Sequence, residues 1–126
     1  MAHKLLIVDD EPDILRLMVL ALTKRNFDVI TAADGQEALE VMRRASPDLV
    51  LLDIMLPKLT GDQVCTTIKV DPELNQIPVI LFTADSDTVT AEKAKQYGAT
   101  DYIIKPFDTE KLIEKINHAL FLKSQA

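Results

Sequence analysis

Five times along this chain a short apolar run breaks off at polar or acidic residues and gives way to a stretch with helical spacing. No other feature narrows the choice of folds so far. Short strands alternating with helices over brief connections fit a parallel sheet built by right-handed crossovers and covered by helices on both faces. The first run, Leu5 to Val8, stops at Asp9, Asp10, Glu11 and Pro12. From Pro12, a favoured first-turn residue, apolar side chains recur at Ile14, Leu15, Met18, Ala21 and Leu22, one face of a helix. Val29 to Ala32 reads as the second strand, and Asp34 with Glu37 forms a capping box for a helix through Arg44, closed by Pro47. Leu49 to Leu52 is apolar on both faces, as a strand buried between two helical layers must be, and it ends at Asp53. A helix from about Thr60 to Val70 follows. Val79 to Phe82 ends at Thr83; the next helix spans about Val89 to Tyr97, with Gly98 placed as its C-terminal cap. The brief fifth strand, Tyr102 to Ile104, precedes a helix that Asp108 caps and whose buried face carries Leu112, Ile113, Ile116, Ala119 and Leu120. The tail after Phe121 reads as frayed. The expectation is one doubly wound α/β domain over residues 1–126, without linkers or low-complexity tracts.

Composition supports a folded domain: 126 residues, 48% hydrophobic and 27% charged, are enough for one core without disulfides or a structural metal. No apolar run approaches the roughly 20 residues needed to span a bilayer, and the N-terminus lacks a signal-peptide segment, so the chain is expected to be cytoplasmic with no membrane partner. A lone Cys65 cannot form an internal disulfide, which fits a reducing compartment, and its default role is packing. The net charge of −6 opposes the phosphate backbone of nucleic acid. No direct nucleic-acid contact is expected.

In an open parallel sheet, ligands bind beyond the carboxyl ends of the strands. Those ends carry Asp9 and Asp10, Asp53, Thr83 and Lys105, which the fold therefore gathers into one crevice. Three carboxylates there would repel by about 4 kcal/mol per pair at a separation of about 4 Å and an effective dielectric of about 20, so they need a cation or a proton. With no His or Cys nearby, oxygen ligands select a hard ion, and Mg²⁺ is favoured over Ca²⁺ and Zn²⁺. A metal-bound carboxylate beside a lysine and a hydroxyl is equipment for phosphoryl transfer, with Asp53 the nucleophile, Lys105 pairing with the phosphoryl group or the acid, and Thr83 donating to a phosphoryl oxygen. Taken singly these residues have blander readings: Asp9 and Asp10 as a solvated loop, Thr83 as a turn-capping hydroxyl, Tyr102 as packing. His3 and His118 read as exposed helix or terminal residues rather than phosphoacceptors.

The segments LIVDDEPD at 6–13, LVLLDIMLP at 49–57, VILFTAD at 79–85 and DYIIKPF at 101–107 resemble the signature segments of bacterial response-regulator receivers, in order, spacing and placement. The resemblance covers essentially the whole chain. It implies a flavodoxin-like sheet of order 2-1-3-4-5 with five helices. It also implies that Asp53 takes its phosphoryl group from the phosphohistidine of a histidine kinase or phosphotransfer protein, and that the Met55 backbone carbonyl completes a Mg²⁺ site with Asp9, Asp10 and Asp53. Thr83 and Tyr102 would act as switch residues that alter the face made by helix 4, strand 5 and helix 5, and the Lys105–Pro106 bond would be cis. That face would meet a target protein or a fused output domain, or pair with a second copy, with Lys93, Lys95, Asp101 and Glu110 as sources of charge pairs. Helix 1, with Arg16 and Lys24, would meet the kinase. Met55 and Asp85 would tune hydrolysis, and a Met beside the phosphoryl group, unable to orient water, implies slow autodephosphorylation. Such a chain is a switch that catalyses only its own phosphorylation and dephosphorylation.

Other functions on a related sheet fit less well. An aspartate-nucleophile phosphatase needs a second acid two residues after the nucleophile, where this chain has Met55. A carrier of flavin mononucleotide needs a Ser/Thr/Gly-rich first loop, where this chain has Asp9 to Asp13. A binding module that had lost the chemistry would not need the full acidic set. Whether the domain is a stand-alone regulator or the N-terminal part of a longer one stays open at this level.

Overall fold

Along β1 (Lys4–Val8), Leu5 and Ile7 join one hydrophobic cluster while Leu6 and Val8 join another, so the strand is apolar on both sides for different reasons. The same alternation holds in β3 (Leu49–Asp53), where Leu49 and Leu51 face the first cluster and Val50 and Leu52 the second, and in β4 (Val79–Thr83). The first cluster is completed by α1 (Pro12–Thr23) and α5 (Thr109–Ser124), through Met18, Leu22, Leu112, Ile116 and Ala119. The second is completed by α2 (Gly35–Ala45), α3 (Gly61–Val70) and α4 (Ala91–Tyr97), through Met42, Val64, Ile68 and Ala94. With β2 (Asp28–Ala32) and β5 (Asp101–Ile104) at the edges, the sheet has the order β2-β1-β3-β4-β5, and every pairing is parallel. This is the doubly wound, flavodoxin-like order. The structure is a computed structural model that describes residues 2–84, 91–106 and 108–125.

Local chemistry sets the ends of the elements. Pro12 opens α1, where its missing N–H costs nothing. The Asp34 carboxylate accepts the Glu37 N–H at 2.8 Å, capping α2, while Glu37 reaches back to the Ala33 N–H at 3.2 Å, one residue before the position a capping box requires. Gly98, at φ +90°, ends α4 in the left-handed conformation that glycine adopts without steric penalty. Asp108 caps α5 by accepting the Glu110 N–H at 2.8 Å.

One further expectation changes. α5 does not fray after Phe121: it runs to Ser124, because Leu122 and Lys123 are good helix formers, no breaker intervenes, and the Ser124 hydroxyl donates to the Phe121 carbonyl at 2.7 Å. The described part of α4 begins at Ala91; Val89 and Thr90, assigned to that helix from sequence, lie outside the described residues, as does Asp85.

Candidate functional site

The buried strands deliver polar residues to the carboxyl end of the sheet. Asp9, immediately after β1, is fully buried, and its Oδ1 accepts the Glu11 N–H at 2.9 Å. Its own N–H donates to the Ala32 carbonyl at 3.1 Å, extending the β1–β2 pairing one step and fixing the carboxylate's origin. Asp10, next in the chain, is exposed. Asp53 closes β3 with 4% exposure, and the Met55 N–H donates to its Oδ1 at 3.0 Å. Carboxylate oxygens of Asp9, Asp10 and Asp53 lie within 4.8 Å of one another.

Lys105 follows β5 and turns inward. Its ammonium donates to Asp9 Oδ2 at 3.1 Å and to Asp53 Oδ2 at 3.3 Å, and lies 4.8 Å from the centre of the Phe82 ring. The Lys105 N–H also donates to the Thr83 carbonyl at 2.7 Å, so the ends of β4 and β5 are tied together where both carry site residues. Thr83 itself is buried. The Lys105–Pro106 bond is cis, as the motif resemblance implies.

The electrostatics are those of acids short of water. Burial pushes the Asp53 carboxyl above its usual range and the Asp9 charge adds to the rise, while the Met55 N–H and Lys105 pull it down without cancelling it. For Lys105 burial acts downward, but the bonds and charges of Asp9 and Asp53 together outweigh it and the ammonium is stabilised. One lysine thus offsets part of the charge of a three-carboxylate cluster. The remainder suits a small hard cation, because the donors are all oxygen, and exposed Asp10 leaves one side open to water and to the oxygens of a substrate. By contrast Cys65, buried in α3, has its thiol pushed up to about 12 by burial and is chemically inert.

Of the residues singled out from sequence, Asp9, Asp10, Asp53 and Lys105 come together, with Thr83 at the adjoining strand end. Tyr102 stands apart: half-buried on β5, it packs against the α2–α3–α4 core cluster, and the Lys115 ammonium lies 5.6 Å from its ring centre. The Met55 side chain is 65% exposed at the rim. His3 and His118 are exposed. Asp101 and Glu110 are engaged within the chain, by Lys115 at 3.0 Å and by Arg25 respectively. Sequence reasoning passed over Phe82, whose ring underlies Lys105, because an aromatic in an apolar strand carries no sign that its face will meet a cation.

Comparison with known proteins bears on the family and the fold. The profile of the response regulator receiver domain matches residues 5–117. The chain belongs to the response regulator receiver family. This receiver is 36% identical over 120 residues to the DNA-binding response regulator MtrA of Mycolicibacterium smegmatis, covering 95% of this chain and 51% of that one. It is 40% identical over 117 residues to the response regulator ArlR of Staphylococcus aureus, covering 93% of this chain and 52% of the relative. The chain therefore spans about half the length of the curated relatives it matches. The crystal structure of a putative response regulator from Chloroflexus aurantiacus superposes with a TM-score of 0.90 at 31% identity, over 95% of this chain and 98% of that one. Receivers are the phosphorylation-controlled domains of two-component signalling, and the family and fold inferred from the motifs are both borne out.

Proposed function

We propose that this receiver is a Mg²⁺-dependent phosphoacceptor in which Asp53 takes a phosphoryl group from the phosphohistidine of a sensor histidine kinase or phosphotransfer protein. The observation that carries the reading is the meeting of three carboxylates, from Asp9, Asp10 and Asp53, with the Lys105 ammonium bridging two of them. Asp9, Asp10, Asp53 and the Met55 backbone carbonyl would hold the ion. When bound, Mg²⁺ supplies neutralising charge for phosphoryl oxygens. In the transfer an Asp53 carboxylate oxygen forms the new bond to phosphorus as the bond to the histidine nitrogen breaks, and the imidazole leaves with that electron pair. Lys105 moves from the Asp53 carboxylate to a phosphoryl oxygen and holds it by a charge-assisted hydrogen bond. Thr83 donates its hydroxyl to another. The buried walls around Asp53 limit water, and Met55 gives water no hydrogen bond at the rim, so autodephosphorylation is slow.

The donor's approach is supported by the α1–α5 side. A groove of about 610 Å³ runs along Ile14, Leu17 and Ala21 of α1 and Lys24 just past its end, and reaches Lys105 and Pro106, beside the acidic cluster. Leu17 and Leu20 on its rim are 65% and 59% exposed. An apolar ridge leading to the nucleophile suits the helices of a histidine donor, with Arg16 and Lys24 as flanking charges. The output runs through a neighbouring face: Thr83 and Tyr102 report phosphorylation to α4, β5 and α5, and that face meets a target protein, a fused output domain or a second copy. The domain works in the cytoplasm without touching nucleic acid itself. Among the described residues no helix is long and apolar enough to cross a membrane.

The test is the intact mass after incubation with acetyl phosphate. A gain of about 80 Da, one phosphoryl group, is expected with Mg²⁺ and not with chelator or in Asp53→Asn. The same gain in Asp53→Asn would overturn the assignment.

A further inference from the structure

α3 begins directly behind the phosphoacceptor. The Gly61 N–H donates to the Ile54 carbonyl at 2.9 Å, so the chain returns from the β3–α3 loop to touch the residue that follows Asp53. A Cβ on Gly61 would lie 2.4 Å from Ile54 Cα, 2.6 Å from the Asp53 carbonyl oxygen and 3.0 Å from Ile54 N. All three are backbone atoms, and no rotamer change relieves the overlap. The other two glycines differ. The nearest atoms to a Cβ on Gly98 would be those of the Lys69 aliphatic chain, and one on Gly35 would meet the Val64 side chain and both the Cβ and the backbone oxygen of Leu59. Neither touches the backbone of Asp53.

Something must move if Gly61 gains a side chain, and α3 resists moving. Its start is tied by the Gln63 carboxamide oxygen, which accepts the Thr60 N–H at 3.0 Å, and its buried face is locked into the core by Val64, Cys65 and Ile68. The Asp53–Ile54 peptide is anchored as well, by the Ile54 N–H donating to the Phe82 carbonyl at 3.2 Å and by the burial of the Ile54 side chain. With both sides anchored, the overlap is shared, and part of the displacement reaches the segment that carries the nucleophile. There a shift of about 1 Å can cost about 100-fold in rate.

We infer that Gly61 is a positioning residue for the phosphoacceptor: lacking a side chain, it lets α3 start against the Asp53–Ile54 peptide and sets where the Asp53 carboxylate stands relative to Asp9, Asp10 and Lys105. The inference rests on Asp53 being the phosphoacceptor of a Mg²⁺ site. The test measures Mg²⁺ affinity by titration calorimetry, and the rate of phosphorylation by acetyl phosphate, for the wild type, Gly61→Ala and Ile116→Ala. Ile116 is buried in α5 within the α1–α5 cluster, which does not include Asp53, and its truncation lowers stability without altering a site residue. Gly61→Ala is expected to lose about tenfold or more in both quantities, while Ile116→Ala, though destabilised, keeps wild-type values. Unchanged values in Gly61→Ala, or equal losses in Ile116→Ala, would overturn the inference. A wild type that neither binds Mg²⁺ nor takes phosphate would instead bring down the phosphoacceptor reading beneath it, and the inference with it. Should Gly61→Ala not fold, the glycine amide resonances of the wild type decide. On addition of Mg²⁺ the Gly61 signal should shift more than those of Gly35 and Gly98, and a stationary Gly61 signal overturns the proposal.

Discussion

Asp53 ends a strand whose five residues are all buried, so its carboxylate is a charge in a place that disfavours charge. Because its pKa is raised in the folded state, the folded protein holds that proton more tightly than the unfolded chain does. Stability is therefore lost as pH rises from the ordinary carboxylate range through the folded pKa, and the deficit persists at neutral pH. Asp53→Asn should accordingly raise the melting temperature at pH 7 in the presence of chelator, with Lys105 still paired to Asp9; a fall would show that the Lys105–Asp53 contact outweighs the burial. Lys105 illustrates the opposite balance, a half-buried cation stabilised by two acids. The identities of these residues were legible in the sequence because each follows an apolar run, and the topology alone brings strand ends together. Two partners were not legible. The ring of Phe82 under Lys105 and the approach of Gly61 to the Asp53 backbone both depend on packing between elements distant in sequence, which periodicity does not encode.

At the scale of elements, α1 carries two separate duties on one helix. Met18 and Leu22 face the core, while Leu17 and Leu20 face solvent along the groove shared with α5. Exposed leucines contribute little to folding, so Leu17→Asp with Leu20→Asp should change stability by no more than about 1 kcal/mol, the sum of two ordinary surface substitutions. The pair should slow transfer from a histidine-kinase donor by about tenfold or more, while leaving phosphorylation by acetyl phosphate intact. Equal loss with both donors would place the defect in the active site rather than in docking. Element boundaries were legible wherever a cap or a proline marked them, as at Pro12, Asp34 and Asp108. They were misread at the end of α5, where nothing marks an end and the helix simply continues. Ser46, which ends α2 at φ +47°, gave no warning either, because serine is not a residue that ordinarily signals the left-handed conformation.

At the scale of the molecule, the parallel sheet buries its strands between two helical layers and spends its polar residues at its carboxyl end, so that binding there is coupled to the stability of the whole. Mg²⁺ bound to the folded chain alone should raise the melting temperature, by the equivalent of about 2.7 kcal/mol at a concentration about 100 times the dissociation constant. Asp10 is exposed, so Asp10→Asn should fold as well as the wild type without the metal and lose that gain; an undiminished gain would place the ion elsewhere. The relatives are about twice as long as this chain, and on the function proposed above the switching chemistry would belong to the site described here. The most direct test is to phosphorylate the chain with a histidine-kinase donor in the presence of Mg²⁺, reduce the product with borohydride, and map it by peptide mass spectrometry. An acyl phosphate on Asp53 leaves homoserine at position 53 and nowhere else. Homoserine at another acid, or a phosphoryl group that survives on a hydroxyl or a histidine, would contradict the account.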